Sequence, residues 1–376
     1  MTTVGILGGG QLGRMLALAG YPLGLRFRFL CPEPTAPASH LATLIPADYD
    51  DLETLERFVR GVDVVTYEFE NVPVNSVQWL ADRVPVYPPP AALETAQDRL
   101  SEKEFFQRLA IPVPPFAAVG SVEELEQAAQ RIGLPAVLKT RRFGYDGKGQ
   151  SVLRTVADLA PAWAALGKVP LILESFVGFD RELSVIAVRG RNGETAVYPL
   201  VENHHRDGIL RLSLAPAANV GPLQAVAKDY ARRALEALDY VGVLAIEFFE
   251  HRDQLLVNEM APRVHNSGHW TIEGAETSQF ENHLRAVVGW PLGATTTRGC
   301  SAMLNWIGTV PPTEEVLRVP GAHQHVYGKS AVPGRKLGHA TVCAADMALV
   351  AERLRLMPES AEWHEAVGKV LRARQQ

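Results

Sequence analysis

Short apolar runs broken by glycine and proline, alternating with amphipathic stretches of helical length, organise the first quarter of the chain. Residues 4–8 and 26–31 read as strands with a helix over 11–19 between them; 61–66 is another strand, and 84–87 ends a further one. Strands alternating with helices predict an α/β domain with a parallel, doubly wound, Rossmann-like sheet. Tyr87-Pro88-Pro89-Pro90 closes it, and a helix over 91–109 and the stiff segment Ile111-Pro112-Val113-Pro114-Pro115 lead onward. From about 116 to 290 the pattern turns to α+β, with strands at 136–139, 171–174, 183–188 and 196–199 and helices at 122–131 and 223–237. Gly289-Trp290-Pro291-Leu292-Gly293 marks the next break. Strands near 300–307, 323–328 and 337–343 then precede a helix over 344–354. The expectation is three domains, 1–100, 101–293 and 294–376, the last small and mostly β.

One pair of apolar runs carries acids. Leu244-Ala245-Ile246-Glu247-Phe248-Phe249 and Leu255-Leu256-Val257-Asn258-Glu259-Met260 read as antiparallel strands joined by the polar turn His251-Arg252-Asp253-Gln254. That hairpin can set Glu247 beside Asn258 and Glu259 on an otherwise apolar surface, where carboxylates are costly unless a cation neutralises them. Oxygen ligands of this kind suit magnesium, which takes one or two carboxylates plus nucleotide phosphates. Two edge-strand glutamates facing water are the bland alternative.

Composition narrows the class. A net charge of −5 gives no basic excess for a nucleic-acid duplex, and no apolar window is long enough to span a membrane. Cys31, Cys300 and Cys343 are scattered without metal or disulfide spacing, and the N-terminus opens directly into a strand; both fit a cytoplasmic protein.

Gly8-Gly9-Gly10-Gln11-Leu12-Gly13 follows a strand and opens a helix, as a dinucleotide fingerprint does. Glycines and helix amides suit a phosphate generally, so a phosphorylated small molecule is expected, with NAD and a purely structural turn left open. The acid that NAD would need has only Glu33, between two prolines, as candidate. Further on, Lys139 ends a strand and enters Arg141-Arg142-Phe143-Gly144-Tyr145-Asp146-Gly147-Lys148-Gly149-Gln150, a flexible cationic loop suited to closing over a polyphosphate. The strand through Glu174-Ser175-Phe176-Val177 could offer its edge to an adenine and Glu182 could take ribose hydroxyls, although either acid alone reads as a solvated carboxylate.

With these motifs in order the chain resembles the ATP-grasp superfamily and, within it, the N5-carboxyaminoimidazole ribonucleotide synthases of purine biosynthesis. The resemblance covers nearly the whole chain. It rests on the glycine run through Arg14-Met15, Glu68-Phe69-Glu70-Asn71-Val72-Pro73, Gln97-Asp98-Arg99 with Glu102-Lys103, and the Gly144 to Gln150 loop. It continues through His205-Arg206-Asp207-Gly208-Ile209-Leu210, Asn258-Glu259-Met260-Ala261-Pro262-Arg263-Val264-His265-Asn266-Ser267-Gly268-His269-Trp270-Thr271 and Pro333-Gly334-Arg335-Lys336-Leu337-Gly338-His339.

The resemblance implies a Rossmann-like N-terminal domain, a two-lobed ATP-grasp domain, a small C-terminal domain and a homodimer. The implied reaction joins bicarbonate to the exocyclic amine of 5-aminoimidazole ribonucleotide, with ATP cleaved to ADP and phosphate. Arg99, Lys139, Gly144 to Gln150, Glu174 to Val177, Glu182, His205 and Asn258 would surround ATP, and Glu247 and Glu259 would hold magnesium. Arg263 would fork onto bicarbonate and His265 handle a proton, its ordinary pKa being near neutral. Gln11, Leu12, Glu68, Tyr145, Asp146, Asn266 and Ser267 would take the aminoimidazole ribonucleotide. Lys329, Arg335 and Lys336 would hold its phosphate, with Lys329 also among the catalytic groups. Lys148 stands where some relatives carry arginine, keeping charge but not the bidentate fork.

Four rival readings remain. The spacings His265-x-x-x-His269 and His323-x-His325, with His204-His205, suggest zinc, although Asn266-Ser267-Gly268 argues for a loop between two of them. Another ATP-grasp ligase would share the ATP residues but not the Asn266 to Thr271 run. An NAD-dependent oxidoreductase or a non-catalytic nucleotide sensor would leave, respectively, the acidic hairpin or Arg263 and His265 without a task.

Overall fold

The computed structural model describes residues 1–144, 147–358 and 368. The N-terminal sheet is parallel, with Thr3–Leu7 flanked by Arg26–Cys31 and Val64–Tyr67 and with Thr43–Pro46 outside Arg26–Cys31. The strand expected at 61–66 starts later because Gly61 turns with φ +72°, and near 86 only a single bridge, Val65 to Val86, forms. The helix expected over 91–109 is two, Pro90–Ala96 and Arg99–Arg108. Asp98 breaks the run by taking extended backbone and accepting from the Leu100 and Ser101 amides, the behaviour of an N-cap.

A four-stranded antiparallel sheet follows, ordered Phe116–Val119, Leu171–Ser175, Ala136–Thr140, Gln150–Leu153. Leu171–Ser175 is therefore interior, so the expected strand edge is not available there; only the chain beyond it, at 176–177, lies outside the sheet.

Among the described residues the largest sheet has nine strands, and it crosses the boundary drawn at 293. Gln254–Ala261, Gly242–His251, Arg181–Arg189, Val201–Arg206 and Ile209–Ala215 lead into Cys300–Ile307, Lys336–Ala344 and Ala322–Val326, with Thr195–Val197 branching from Arg181–Arg189. The C-terminal strands thus extend the central domain's sheet rather than forming their own. Val201–Arg206 and Ile209–Ala215 escaped the sequence pattern because Glu202, Asn203, His204 and His205 break the apolar run.

Candidate active site

Glu247 and Glu259 stand directly opposite each other across the hairpin, and Glu247 is also opposite Ser184 on the neighbouring strand. Arg252 and Asp253, both with positive φ, make the two-residue turn, and a bulge that leaves Asn258 extra on its strand shifts the register by one residue, bringing Glu259 rather than Asn258 opposite Glu247. Ile246 and Phe248, alternating with Glu247, are fully buried in the core beneath, which commits the carboxylates to the opposite face. Burial pushes Glu247 up to about 7, with the Glu259 charge adding to it. Burial also raises Glu259, but Arg99, whose Nη1 lies 2.8 Å from Glu259 Oε2, outweighs it and holds that acid below the usual range. Two hard-oxygen groups on one face, one of them resisting ionisation for want of positive charge, fit magnesium.

The helix Arg99–Arg108 ties this hairpin to the four-stranded lobe. Lys103, fully buried, donates to the carbonyls of Val257 (3.0 Å) and Asn258 (2.7 Å) and lies 3.4 Å from Glu174 Oε2. Lys139 approaches the same oxygen to 3.0 Å. Burial works against the Glu174 carboxylate, yet Lys103 and Lys139 hold it down to about 2. Glu174 is thus the reverse of a solvated carboxylate, and its Oε1 has no hydrogen-bond partner among the described residues. Glu102 accepts from the Met260 amide at 2.6 Å. Arg99, Glu102, Lys103 and Phe106 fall at i, i+3, i+4 and i+7, so Arg99, expected at ATP, shares the helix's inward face with Glu102 and Lys103, which the sequence reading left without a role.

The cationic loop meets the other lobe. Gly147 (φ +76°) packs so close to the Asp207-Gly208 turn that a Cβ there would lie 3.2 Å from Gly208 Cα. Tyr145 and Asp146 lie outside the described residues. Beside this turn His205 Nδ1 is 2.9 Å from Glu182 Oε2; burial lowers the imidazole, but Glu182 and Glu247 raise it above its ordinary value.

The N-terminal glycines serve a different purpose from the expected one. Glu68 is buried, and its carboxylate accepts from the amides of Gly10 (2.6 Å) and Gly13 (3.3 Å). A Cβ on Gly8 or Gly10 would lie 2.6 or 2.8 Å from that side chain. The amides offered to a phosphate are occupied by the protein's own acid, so this loop presents a carboxylate rather than an anion cradle. Leu12 buries its side chain in the core, while Gln11 Oε1 accepts from Lys329 Nζ.

Downstream of the hairpin, Arg263 pairs with Glu70 at 2.9 Å. His265 Nε2 lies 3.2 Å from Glu247 Oε1, and burial first, then Arg263 and Lys336, keep His265 far below its ordinary pKa. Ser267 is fully buried, its hydroxyl held between Ser184 (2.8 Å) and His265 Nδ1 (2.9 Å), so it lies behind His265 rather than toward a ligand. Asn266 and Asn305 exchange amide hydrogen bonds of 2.8 and 3.2 Å. Burial and Arg335 push Lys329 down to about 8, and Lys336 acts electrostatically on both Glu247 and His265. Lys329 and Lys336 therefore face the site from the C-terminal segment, whereas Arg335 is exposed and donates to Ser330 Oγ at 2.8 Å.

Residues 1–97 match the ribonucleotide synthetase preATP-grasp domain, 104–280 the ATP-grasp domain and 301–353 the phosphoribosylaminoimidazole carboxylase C-terminal domain. The chain is 58% identical to the N5-carboxyaminoimidazole ribonucleotide synthase of Pseudomonas aeruginosa, over 93% of this chain and 97% of that one. The chain belongs to the N5-carboxyaminoimidazole ribonucleotide synthases, ATP-grasp ligases of purine biosynthesis. The solved synthetase of Thermus thermophilus matches at 60% identity and TM-score 0.91, covering 94% of this chain and 97% of that one. A synthase from Aspergillus clavatus, solved in complex with ADP and 5-aminoimidazole ribonucleotide, matches at 33% identity and TM-score 0.89 over 96% and 98% of the two chains.

The three matched segments meet around these side chains: Gln11, Glu68 and Glu70 from the first, Arg263 and His265 from the second, Lys329 and Lys336 from the third. The histidines sort accordingly. Among the described residues no three of His, Cys, Asp and Glu gather as a metal ligand set. His269, His325 and His339 instead lie ring against ring, with centroids 4.8 Å apart for His269 and His339 and 4.4 Å for His325 and His339. Glu70 and Lys103 stand in the motifs that carry the resemblance but received no role from the sequence, and Asn203 was not singled out; the alternation Glu68-Phe69-Glu70 was the available signal for the first, since it puts two acids on one side of an extended segment.

Proposed function

We propose that this chain carboxylates 5-aminoimidazole ribonucleotide with bicarbonate at the expense of ATP, with the labour divided as follows. Lys139, Arg99 and the Gly144 to Gln150 loop bind the ATP phosphates, Glu174 to Val177 and Glu182 the nucleoside, with His205 and Asn258 alongside. Glu247 and Glu259 would hold magnesium, which would supply neutralising charge for the phosphates. The γ-phosphoryl group of ATP transfers to a bicarbonate oxygen, giving carboxyphosphate and ADP. Arg263 forks onto the carbonate oxygens. The aminoimidazole nitrogen then bonds to the carbon, the carbon–oxygen bond to phosphate breaks, and phosphate and a proton leave. Glu68 accepts from ribose hydroxyls, and Lys329, Arg335 and Lys336 neutralise the ribose phosphate.

The observation that carries this reading is the junction at Glu247. Glu247, the carboxylate proposed for magnesium, lies 3.2 Å from His265, which follows Arg263 closely, and Arg263 in turn pairs with Glu70 of the N-terminal segment. Family membership supports a homodimer, and three unpaired cysteines suit a reducing cytoplasm. The test is ADP release from magnesium-ATP and bicarbonate with and without 5-aminoimidazole ribonucleotide. Strong dependence on the nucleotide is expected; ATP binding without stimulation would sink the acceptor assignment.

A further inference from the structure

Behind His265 runs a chain of buried hydrogen bonds that none of the roles above uses. Ser213 Oγ donates to Asn203 Oδ1 (2.7 Å), Asn203 Nδ2 donates to Ser184 Oγ (2.9 Å), and Ser184 Oγ donates to Ser267 Oγ (2.8 Å). Ser267 Oγ lies 2.9 Å from His265 Nδ1, and His265 Nε2 faces Glu247. Ser184, Asn203, Ser213 and Ser267 are all buried, so no water shell is at hand to supply alternative partners. Sheet register builds the chain: Asn203 is directly opposite Ser213, and Ser184 is directly opposite Glu247.

A hydroxyl has one proton to give. Because the Asn203 amide donates to Ser184, the Ser184 proton goes to Ser267, and the Ser267 proton is left for His265 Nδ1. A second donor agrees, for the backbone N–H of Ser267 also points at Nδ1 (3.3 Å). Two donors converging on one ring nitrogen require it to carry a lone pair. Its proton must then be on Nε2, on the side of Glu247.

We propose that the Asn203–Ser184–Ser267 relay locks His265 as the Nε2–H tautomer, so that it presents a hydrogen-bond donor, not a base, to the reacting groups. Asn203, Ser184 and Ser267 are positioning residues, acting through His265. This rests on the assignment of His265 to the carboxylation site and changes its task. The nitrogen facing the site has no lone pair with which to take a proton from the amine; it holds the Glu247 carboxylate and can donate to a carboxyl oxygen as negative charge collects there. Reversing the tautomer would set an Nδ1–H against the Ser267 amide N–H and leave the Ser184 proton facing the Asn203 amide.

The tautomer is read directly from histidine ring ¹⁵N shifts in the folded, ligand-free full chain at neutral pH, with His265→Gln identifying the resonance. The expected spectrum has a pyridine-like Nδ1 and a pyrrole-like Nε2. Asn203→Asp is nearly isosteric and turns the donor to Ser184 into an acceptor. It should move His265 toward Nδ1–H and lower kcat at least about tenfold with KM for ATP unchanged. A pyrrole-like Nδ1 in the wild type overturns the proposal, as does a folded Asn203→Asp protein with the wild-type ring pattern. Should that variant not fold, Ser184→Ala cuts the relay: mixed tautomers support the proposal and an unaltered single tautomer overturns it. If the tautomer is as stated but His265→Ala keeps full activity, the relay stands and the carboxylation role of His265 falls.

Discussion

At Glu247 the protein tolerates a buried carboxylate whose charge His205 and Lys336 only partly offset. Burial and Glu259 lift it to about 7, above the ordinary carboxyl value, so ionising it costs the folded state stability. That cost is absent below about pH 4, grows through about pH 7 and is complete above it. Glu247→Gln should therefore raise the melting temperature of the ligand-free protein above neutrality by about 2–4 °C. It should also abolish the magnesium-dependent stabilisation by ATP and cut ADP formation by about 100-fold or more. A wild-type magnesium response in the variant, read by differential scanning fluorimetry, would count against the metal assignment. Glu174 has the opposite sign. Burial opposes its charge, but Lys103 and Lys139 hold it at about 2, so its contribution is present above about pH 4 and is lost as pH falls toward 2. Glu174→Gln should cost about 3 kcal/mol at neutral pH by urea titration, with the difference from wild type shrinking in acid.

Asp98 shows at the scale of elements what the sequence reading could and could not reach. The helix over 91–109 was legible as a helical pattern, but not the break inside it, because the cap works through a tertiary partner as well as locally. The Asp98 carboxylate meets the Leu100 amide at 3.0 Å and forks with Arg141 at 2.9 and 2.8 Å, joining helix to lobe. Asp98→Ala loses both and should cost about 2–3 kcal/mol, whereas Asp98→Asn keeps the cap and should cost about half as much, measured by chemical denaturation. The carboxylate hairpin was legible in its two strands and polar turn, which are local features, but not in the bulge at Asn258 that brings Glu259 opposite Glu247. The glycine run at residues 8–10 was legible as a turn but misread in its partner. Glu68 lies some 60 positions away, and no local signal says that its carboxylate, rather than a phosphate, fills the space above the glycines. Likewise, Leu171–Ser175 was recognisable as a strand, but only the pairing order shows it to be interior.

Across the whole molecule, three sequence segments meet at one cleft, and the central and C-terminal ones also share one sheet. Ile209–Ala215 pairs with Cys300–Ile307 through Leu212–Leu304, Ser213–Met303, Leu214–Ala302 and Ala215–Ser301, so the C-terminal segment completes the central sheet. Leu212 and Leu214 are buried against Ala302, Leu304, Ala340 and Val342 in one apolar cluster. A chain ending at residue 293 would keep every residue assigned to ATP and magnesium, and on the division drawn from sequence it should fold. The sheet predicts otherwise. Truncation would leave Ile209–Ala215 as a bare edge with its apolar face uncovered, the arrangement that invites strand pairing between molecules. It would also strip Asn305 from Asn266 and Lys329 from Gln11, two contacts that join the cleft's walls. The expected outcome is a 1–293 chain that elutes as an aggregate and does not bind ATP. A monodisperse, ATP-binding fragment would show that the nine-stranded sheet is two independent units laid side by side.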